Sequence, residues 1–382
     1  MKQIRYFDHA ATTAVDEQVI NSMLPYYNTE YGNPSSMYGI ARSARRAVEE
    51  ARENIAHIIG AKKNEIFFTS GGSESDNLAI KGIAYANKGK GNHIITSKIE
   101  HHAILETCEV LEKEGFEVTY LNVDENGFIN TEELKSSIKD TTILISIMFA
   151  NNEIGTIQPI KEIGEIAKQN NIIFHTDCVQ AMGNCLINVN EMNIDSLSMS
   201  GHKIYGPKGI GVLYVREGIE FQKLQNGGHQ ERNKRAGTEN VPGIIGMSVA
   251  LEKAYNHLEK NIKHLTNLRD YFFDEVENRI ENIKINGDRV QRLAGNCNIS
   301  FKGIDGEELL MKLDEQGICA SAGSACSTGS SEPSHVLTAI GLEADMAMSA
   351  LRFTFGRENQ KEDVEFLVTT LERSVRFLRN KI

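Results

Sequence analysis

The pattern of apolar and polar positions predicts short buried strands that alternate with helices. Residues 41–59 keep apolar side chains at helical spacing with charges between them, and Gly60 follows, so this stretch predicts a long amphipathic helix. Apolar runs typical of strands come later, at 65–70, 93–97, 142–149, 172–177, 196–200 and 211–215. Helix-like segments at 77–88 and 160–169 lie between these runs. This alternation predicts an α/β fold with a mostly parallel sheet.

The pattern changes near residue 250. Long charged helices follow, and after them come an apolar run at 296–303, a Gly/Ser-rich loop at 321–331, a strand-like run at 351–355 and a last helix at 361–380. We therefore expect a large domain over residues 16–250. A smaller α+β domain would combine residues 1–15 with residues 251–382.

The composition is typical of a folded protein that acts on small molecules. Hydrophobic residues make up 40% and charged residues 24% of the 382 residues. The net charge of −11 argues against direct nucleic-acid binding, which depends on clustered Lys and Arg. The chain has neither an apolar leader nor a run of eighteen apolar residues, which predicts a cytoplasmic protein without membrane contact. The six cysteines form no CxxC pair, so neither a disulfide framework nor a structural zinc site is expected.

Three segments carry residues suited to chemistry. FTSGGSESDNLAIKG runs through Gly72 and Ser73 into a helix whose first N–H groups could bind phosphate, although a plain helix cap explains it equally well. Asp177 ends a predicted strand, where parallel sheets bind ligands, but such an Asp is more often an N-cap. Lys203 follows another strand. A lysine in a tight loop can form a Schiff base if its pKa is lowered, although most lysines are solvated surface charges.

The order and spacing of these segments resemble the class V aminotransferase family, and within it the NifS-like cysteine desulfurases. The similarity runs from YFDHAATT to LRFTFGR and so covers nearly the whole chain. It includes SGGSESDN, EHHAIL, NNEIGTIQPI, HTDCVQ, SGHKIYGPKG, RAGTEN and SAGSACSTGSSEPSHVL. The resemblance implies the fold-type I architecture of pyridoxal-phosphate (PLP) enzymes, a homodimer, and conversion of L-cysteine to L-alanine.

The resemblance also implies a role for individual residues. Lys203 would hold PLP covalently, Asp177 would pair with its ring nitrogen, and His101 would stack on the ring and transfer protons. Arg352 would bind the substrate carboxylate, for which a planar guanidinium is suited. The resemblance further implies that the PLP phosphate is held by Gly72, Ser73, Ser200 and His202. Thr238 would reach the phosphate across a dimer interface, and Asn152 and Gln180 would contact the phenolic oxygen or the substrate. His102 is expected to have a structural role only, and Arg357 is expected to be a surface or capping charge.

Cys326 differs from the other cysteines because its surroundings, SAGSACSTGSS, have no apolar period that would place it in a core. A reactive thiol needs such access. The resemblance implies that Cys326 receives the sulfur as a persulfide and passes it to an acceptor protein for iron–sulfur clusters, tRNA thiolation or related pathways. Inert thiols are expected at Cys108, Cys185 and Cys297, and Cys178 and Cys319 are left undecided.

Other functions remain open at this point. A selenocysteine lyase or a transaminase could share the fold, and a silent sulfur-carrier or assembly subunit could keep the fold without the chemistry. Two departures from the family pattern matter: Tyr38 stands where many relatives have histidine, and the chain ends at RFLRNKI without the tail that some members use to dock a scaffold. The second departure leaves the acceptor open.

Overall fold

The computed structural model of the chain describes residues 4–322 and 332–380. These residues form thirteen strands: β1 Arg5–Tyr6, β2 Ile66–Thr69, β3 His93–Ser97, β4 Glu117–Leu121, β5 Thr142–Ser146, β6 Ile173–Asp177, β7 Ser196–Ser200, β8 Gly211–Val215, β9 Ile283–Ile285, β10 Asn296–Phe301, β11 Ile318–Cys319, β12 Ser321–Ala322 and β13 Ala350–Thr354.

The same residues form fourteen helices: α1 Glu17–Met23, α2 Pro25–Asn28, α3 Gly39–Ile59, α4 Gly72–Asn87, α5 His102–Lys113, α6 Thr131–Ser137, α7 Ile160–Gln169, α8 Gln230–Asn233, α9 Val241–Asn256, α10 Leu258–Arg279, α11 Gly306–Asp314, α12 His335–Ala339, α13 Ala344–Met348 and α14 Lys361–Arg379. Short 3₁₀ turns at Lys63–Glu65 and Gly201–Lys203 complete the regular structure of the described ranges.

A seven-stranded sheet in the order β2-β8-β7-β6-β5-β3-β4 forms the centre of the larger part of the chain. β8 is antiparallel to both of its neighbours, and the other pairs are parallel. One core packs α4 and α5 on one face, and another packs α3, α7 and α9 on the other. The predicted α/β class with a mostly parallel sheet is confirmed. Because the parallel strands end at one edge, the ends of β6 and β7 meet there.

A second core surrounds the antiparallel sheet β12-β13-β10-β9. α10 and α14 supply much of it, and Phe272 packs edge-on against Phe353 at a centroid distance of 5.4 Å. Phe7 of the N-terminal segment is buried in this core as well, and β1 pairs with β11. The division into residues 16–250 and residues 1–15 with 251–382 stays a prediction.

The element boundaries follow the sequence pattern closely where the period is strong. α3 ends where Gly60 adopts a left-handed φ of 74°, which glycine takes without strain. α7 covers the predicted residues 160–169. The pattern failed to predict β4, because this edge strand leaves four of its five residues at least partly exposed and so has no apolar run.

A buried ion pair joins α3 to the segment after β8. The Arg52 guanidinium donates through both terminal nitrogens to the Glu231 carboxylate, each at 2.7 Å, and the two side chains are only 4% and 3% exposed. Glu231 also accepts the backbone N–H of Phe68 at 2.8 Å. These bonds hold α8 in place although Glu231 and Arg232 have left-handed φ values of 44° and 53°.

We expect Arg52→Met to lower the free energy of unfolding by about 3–5 kcal/mol, because the buried Glu231 carboxylate loses its partner. Urea denaturation followed by circular dichroism measures the change. The matched control is Lys62→Met, which breaks the exposed ion pair to Glu217 and should cost about 0–1 kcal/mol. Equal losses in the two variants would contradict a special role for the buried pair.

Candidate active site

One cavity lies where β6 and β7 end. It occupies about 880 Å³, counting the space open to solvent. Ten of the residues predicted from the sequence line it together: Gly72, Ser73, His101, Asn152, Asp177, Gln180, Ser200, His202, Lys203 and Arg352. Their positions along the chain are far apart, so the sheet topology is what assembles them.

Lys203 reaches the cavity from the turn that follows β7. The turn is tight, and a Cβ on Gly201 would lie 2.8 Å from the Ile210 side chain and 2.9 Å from the Pro207 carbonyl. The Lys203 Nζ donates to the carbonyl oxygens of Ala10 at 2.6 Å and Ala11 at 2.7 Å. The N-terminal segment therefore fixes where the amine points.

Asp177 closes β6 and is 6% exposed. Its Oδ1 accepts the Val179 N–H at 2.8 Å, which holds the carboxyl group in one orientation. Burial raises the pKa of Asp177, while His101 and Lys203 act to lower it. A buried carboxyl group of this kind gains most from a nearby cation, such as a protonated ring nitrogen.

His101 is the N-cap of α5, and its Nδ1 accepts the Ala103 N–H at 3.1 Å. Since Nδ1 accepts, the ring proton of the neutral form lies on Nε2. Burial lowers the pKa of His101, and the nearby Asp177 only partly offsets this. A neutral imidazole beside the cavity can accept or pass on a proton.

The start of α4 also lines the cavity, through Gly72 and Ser73. A Cβ on Gly72 would lie 2.6 Å from the Val179 side chain, so α4 can approach the β6 turn this closely only with glycine. Ser73 follows in the first turn of this sixteen-residue helix, whose N-terminus favours an anion. His202 lines the same cavity. Burial lowers the pKa of His202 to about 4, so its ring is neutral at pH 7. The His202 Nδ1 lies 3.1 Å from Thr12 Oγ1.

Arg352 enters the cavity from β13 and is 2% exposed. Its guanidinium donates to Asp8 Oδ1 at 2.9 Å and to the Asn152 carbonyl at 3.0 Å. Gln180 Nε2 donates to the carbonyl of Ala10 at 3.0 Å. Arg352 thus binds large-domain and N-terminal residues at once, and it is placed to meet a carboxylate in the cavity.

Two predicted site residues are not part of this assembly. Thr238 is exposed, and its neighbours Gly237 and Glu239 line a different cavity next to α8. Cys326 lies outside the described residues.

Several site residues escaped prediction. Ala10, Ala11, Asp76 and Met148 also line the cavity, and Asp8 holds Arg352. The alanines act through backbone carbonyls and therefore leave no side-chain signal. Asp76 lies one helical turn after Gly72, a spacing that places both on one helix face and that could have identified it.

Arg357 corrects an expectation, since it is more than a surface or capping charge. Its guanidinium binds Asp16 Oδ2 at 2.6 Å and lies 4.0 Å from the Tyr205 ring centroid. Its side chain is 29% exposed.

The five described cysteines are free thiols. Cys108, Cys178 and Cys297 are buried, and burial raises the pKa of each of the five above its ordinary value. Cys178 and Cys319, which the sequence left undecided, therefore resemble the inert group.

Comparison with known proteins places the chain in a known family. The sequence profile of the Aminotransferase class-V family matches residues 5–367. The chain belongs to this family.

The individual relatives agree with this assignment. The chain is 54% identical over 379 residues to a protein named cysteine desulfurase IscS from Dictyoglomus turgidum, covering 99% of this chain and 96% of that one. It is also 54% identical to the cysteine desulfurase IscS of Methanosarcina thermophila, covering 98% of this chain and 93% of the relative. The solved structure of a NifS-like protein superposes with a TM-score of 0.93 at 37% identity, with 98% of this chain and 100% of that chain covered. The structure described as SspA in complex with cysteine gives a TM-score of 0.82 at 41% identity, covering 93% and 99% of the two chains.

Enzymes of this family depend on PLP, and the residues of the cavity fit that cofactor. An amine, a buried carboxyl group and a helix N-terminus lie around one space, which suits an aldehyde, a ring nitrogen and a phosphate.

Within residues 4–322 and 332–380, no helix is long and apolar enough to cross a membrane. No cluster of His, Cys, Asp and Glu in those ranges could hold a metal ion.

We expect Gly72→Ala to weaken PLP binding about tenfold or more, because its methyl group would push the start of α4 away from Val179. Overpacking of this kind also costs about 1–3 kcal/mol of stability. Fluorescence titration with PLP measures the affinity, and thermal melting measures the stability. Gly89→Ala is the control, since nothing lies within 4 Å of an added Cβ there. Unchanged PLP affinity in Gly72→Ala would show that the close approach is not needed.

Proposed function

We propose that this protein is a PLP-dependent cysteine desulfurase that converts L-cysteine to L-alanine and retains the sulfur as a persulfide on Cys326. The main support for the proposal is that Lys203, Asp177, His101 and Arg352 line one cavity. The relatives that are 54% identical are named cysteine desulfurases, which supports the same reaction.

In this proposal the cavity residues divide the binding of PLP among them. Lys203 would hold the aldehyde end, Asp177 would pair with the ring nitrogen and His101 would stack on the ring. Gly72, Ser73, Ser200 and His202, which line the cavity, would hold the phosphate. Bound PLP supplies an electron sink for the carbanion that forms at the substrate α-carbon. Asn152 and Gln180 lie where they can contact the phenolic oxygen or the substrate.

The protein's own groups perform the remaining work. Arg352 binds the α-carboxylate of cysteine, and its bonds to Asp8 and Asn152 keep the guanidinium oriented before substrate arrives. Lys203 removes the α-proton. His101, neutral because burial lowers its pKa, accepts the proton of the substrate amine or thiol. Each group is held by the fold, which reduces the cost of orienting it during the reaction.

Sulfur transfer requires a thiolate, which we assign to Cys326. Its sulfur attacks the substrate sulfur, and an S–S bond forms as the Cβ–S bond of the substrate breaks. Cβ then takes up a proton, and Lys203 returns the α-proton to Cα to yield alanine. The five described cysteines support this choice by elimination, since burial raises the pKa of each of them. We further propose that the persulfide passes to an acceptor protein in iron–sulfur cluster assembly, tRNA thiolation or a related pathway.

A homodimer is part of the proposal, with Thr238 reaching the PLP phosphate of the partner subunit. Exposed large apolar side chains concentrated in residues 20–40 support a protein contact there. They are Ile20, Leu24, Tyr27, Tyr31, Met37, Tyr38 and Ile40. Tyr38, the departure from the family pattern, is thus one of them and is 55% exposed. We propose a cytoplasmic location, where thiols stay reduced, in keeping with the free cysteines of the described ranges.

The test of the proposed function is incubation of the purified protein with PLP and L-cysteine. Alanine is quantified, and peptide mass spectrometry locates any added sulfur. The proposal requires alanine together with a persulfide on Cys326. Bound PLP without either product would favour a transaminase, a strong preference for selenocysteine would favour a lyase, and no PLP binding would favour a silent assembly subunit.

Lys203→Ala should lower turnover by more than about 100-fold, because the amine acts as the base and a positioned base contributes 10²–10⁴-fold. Alanine release measures turnover, and circular dichroism checks the fold. Lys208→Ala removes an exposed lysine five residues away and should leave turnover unchanged. A Lys203→Ala variant with normal turnover would remove Lys203 from the mechanism.

Cys326→Ala should still bind PLP and L-cysteine but should form no persulfide, since the sulfur has lost its acceptor. Absorbance follows cofactor and substrate binding, and mass spectrometry follows the persulfide. The control is Cys319→Ala, which removes a half-buried thiol whose pKa is raised by burial, and it should retain full activity. If the two variants behave alike, Cys326 is not the sulfur acceptor.

A further inference from the structure

A second carboxyl group lies at the candidate site without an assigned role. Asp76 lies on α4, is 1% exposed, and lines the same cavity as Asp177. Its Oδ1 has no hydrogen-bond partner among the residues that the structure describes. A buried carboxyl oxygen without a partner is costly unless a bound proton or a ligand satisfies it.

The other neighbours of Asp76 are neutral. Its carboxyl group is hydrogen-bonded by Ser198, whose Oγ also lies 3.1 Å from His175 Nε2. The far side of the His175 ring meets Ser146 Oγ at 2.9 Å. His175 Nε2 is 3.8 Å from Asp76 Oδ1, but burial lowers the pKa of this histidine to about 3, so it carries no charge at neutral pH. His175 of β6 and Ser198 of β7 therefore place no positive charge beside Asp76.

Two carboxyl groups that share a buried site cannot both ionise readily, so the surroundings decide which one holds the proton. Burial raises the pKa of Asp76 well above its ordinary value, and Asp177 raises it further. Asp177 is favoured as the ionised member because His101 and Lys203 lower its pKa. Glu100, which also faces the pair, has a pKa raised to about 8 by burial and adds little charge at neutral pH.

We propose that Asp76 is a positioning residue that stays a neutral carboxylic acid and so leaves Asp177 as the single negative charge facing the ring nitrogen of bound PLP. The pair then carries one charge in total, matched to one cation. If Asp177 is made neutral by substitution, Asp76 becomes the carboxyl group that ionises in its place. This inference rests on the proposed function, because PLP provides the cation.

The first test measures PLP affinity in a double-mutant cycle. Asp76→Asn alone should change the dissociation constant for PLP less than about twofold, because asparagine resembles the neutral acid and can keep the Ser198 hydrogen bond. In the Asp177→Asn background the same substitution should weaken PLP binding about tenfold, the equivalent of one pKa unit, because it removes the last carboxyl group. A purely structural role would give the same change in both backgrounds.

Asp195→Asn provides the matched control. Asp195 precedes β7, does not line the cavity and pairs with Arg216 at 3.0 Å. Its substitution should therefore leave the dissociation constant for PLP unchanged in both backgrounds. A tenfold loss of PLP affinity in Asp76→Asn alone would overturn the proposal. So would equal losses in the two backgrounds.

A second test uses the chain without PLP. Infrared spectra at pH 7 are compared between unlabelled protein and protein whose aspartate carboxyl groups carry ¹³C, for the wild type and for Asp76→Asn. The proposal requires that a protonated-carboxyl band shifts with the label, which excludes buried glutamic acids such as Glu100 and Glu153. The same band must be missing from Asp76→Asn, which separates Asp76 from Asp177 and Asp195, whose pKa values burial also raises. The absence of such a shift would overturn it. Failure of wild-type protein to bind PLP would instead refute the proposed function and leave the infrared result on Asp76 standing.

Discussion

The site depends on the burial of a carboxyl group, Asp177, at the end of a central parallel strand. Burial there raises its pKa, and the fold offsets this with a lysine and a histidine that approach from β7 and α5. A buried anion of this kind stabilises a cation held against it more than an exposed one would, because water screens it less. The proposed chemistry uses this difference to keep the PLP ring nitrogen protonated.

The rest of the molecule keeps these charged groups in place. The N-terminal segment packs into the second core through Phe7 and crosses the cavity, where the carbonyls of Ala10 and Ala11 accept hydrogen bonds from Lys203. Asp8 in the same segment binds Arg352, which belongs to the second core's sheet. One short stretch thereby links the amine, the guanidinium and both sheets. Movement between the two cores would alter the distance between the Lys203 amine and the Arg352 guanidinium.

The sequence predicted those features that repeat along the chain or have a distinctive local composition. The helical period gave α3 and α7, and apolar runs gave the strands that end at Asp177 and Ser200. Ten site residues followed from the family resemblance, and they line one cavity. Prediction failed where the contact is made by backbone atoms or joins distant residues. The bond from Lys203 to Ala10 spans 193 positions, and nothing in an alanine indicates it. Asp76 was missed because an acidic residue in a helix resembles a surface charge until its burial is known.

The Lys203 amine, held between two carbonyls and facing Asp177, is the proposed attachment point of PLP. The most direct test is to mix the purified protein with PLP, reduce it with borohydride, digest it and map the modified peptide by mass spectrometry. We expect one phosphopyridoxyl group per chain, on Lys203. A group found on another lysine, or an unmodified Lys203 in protein that has bound PLP, would contradict it.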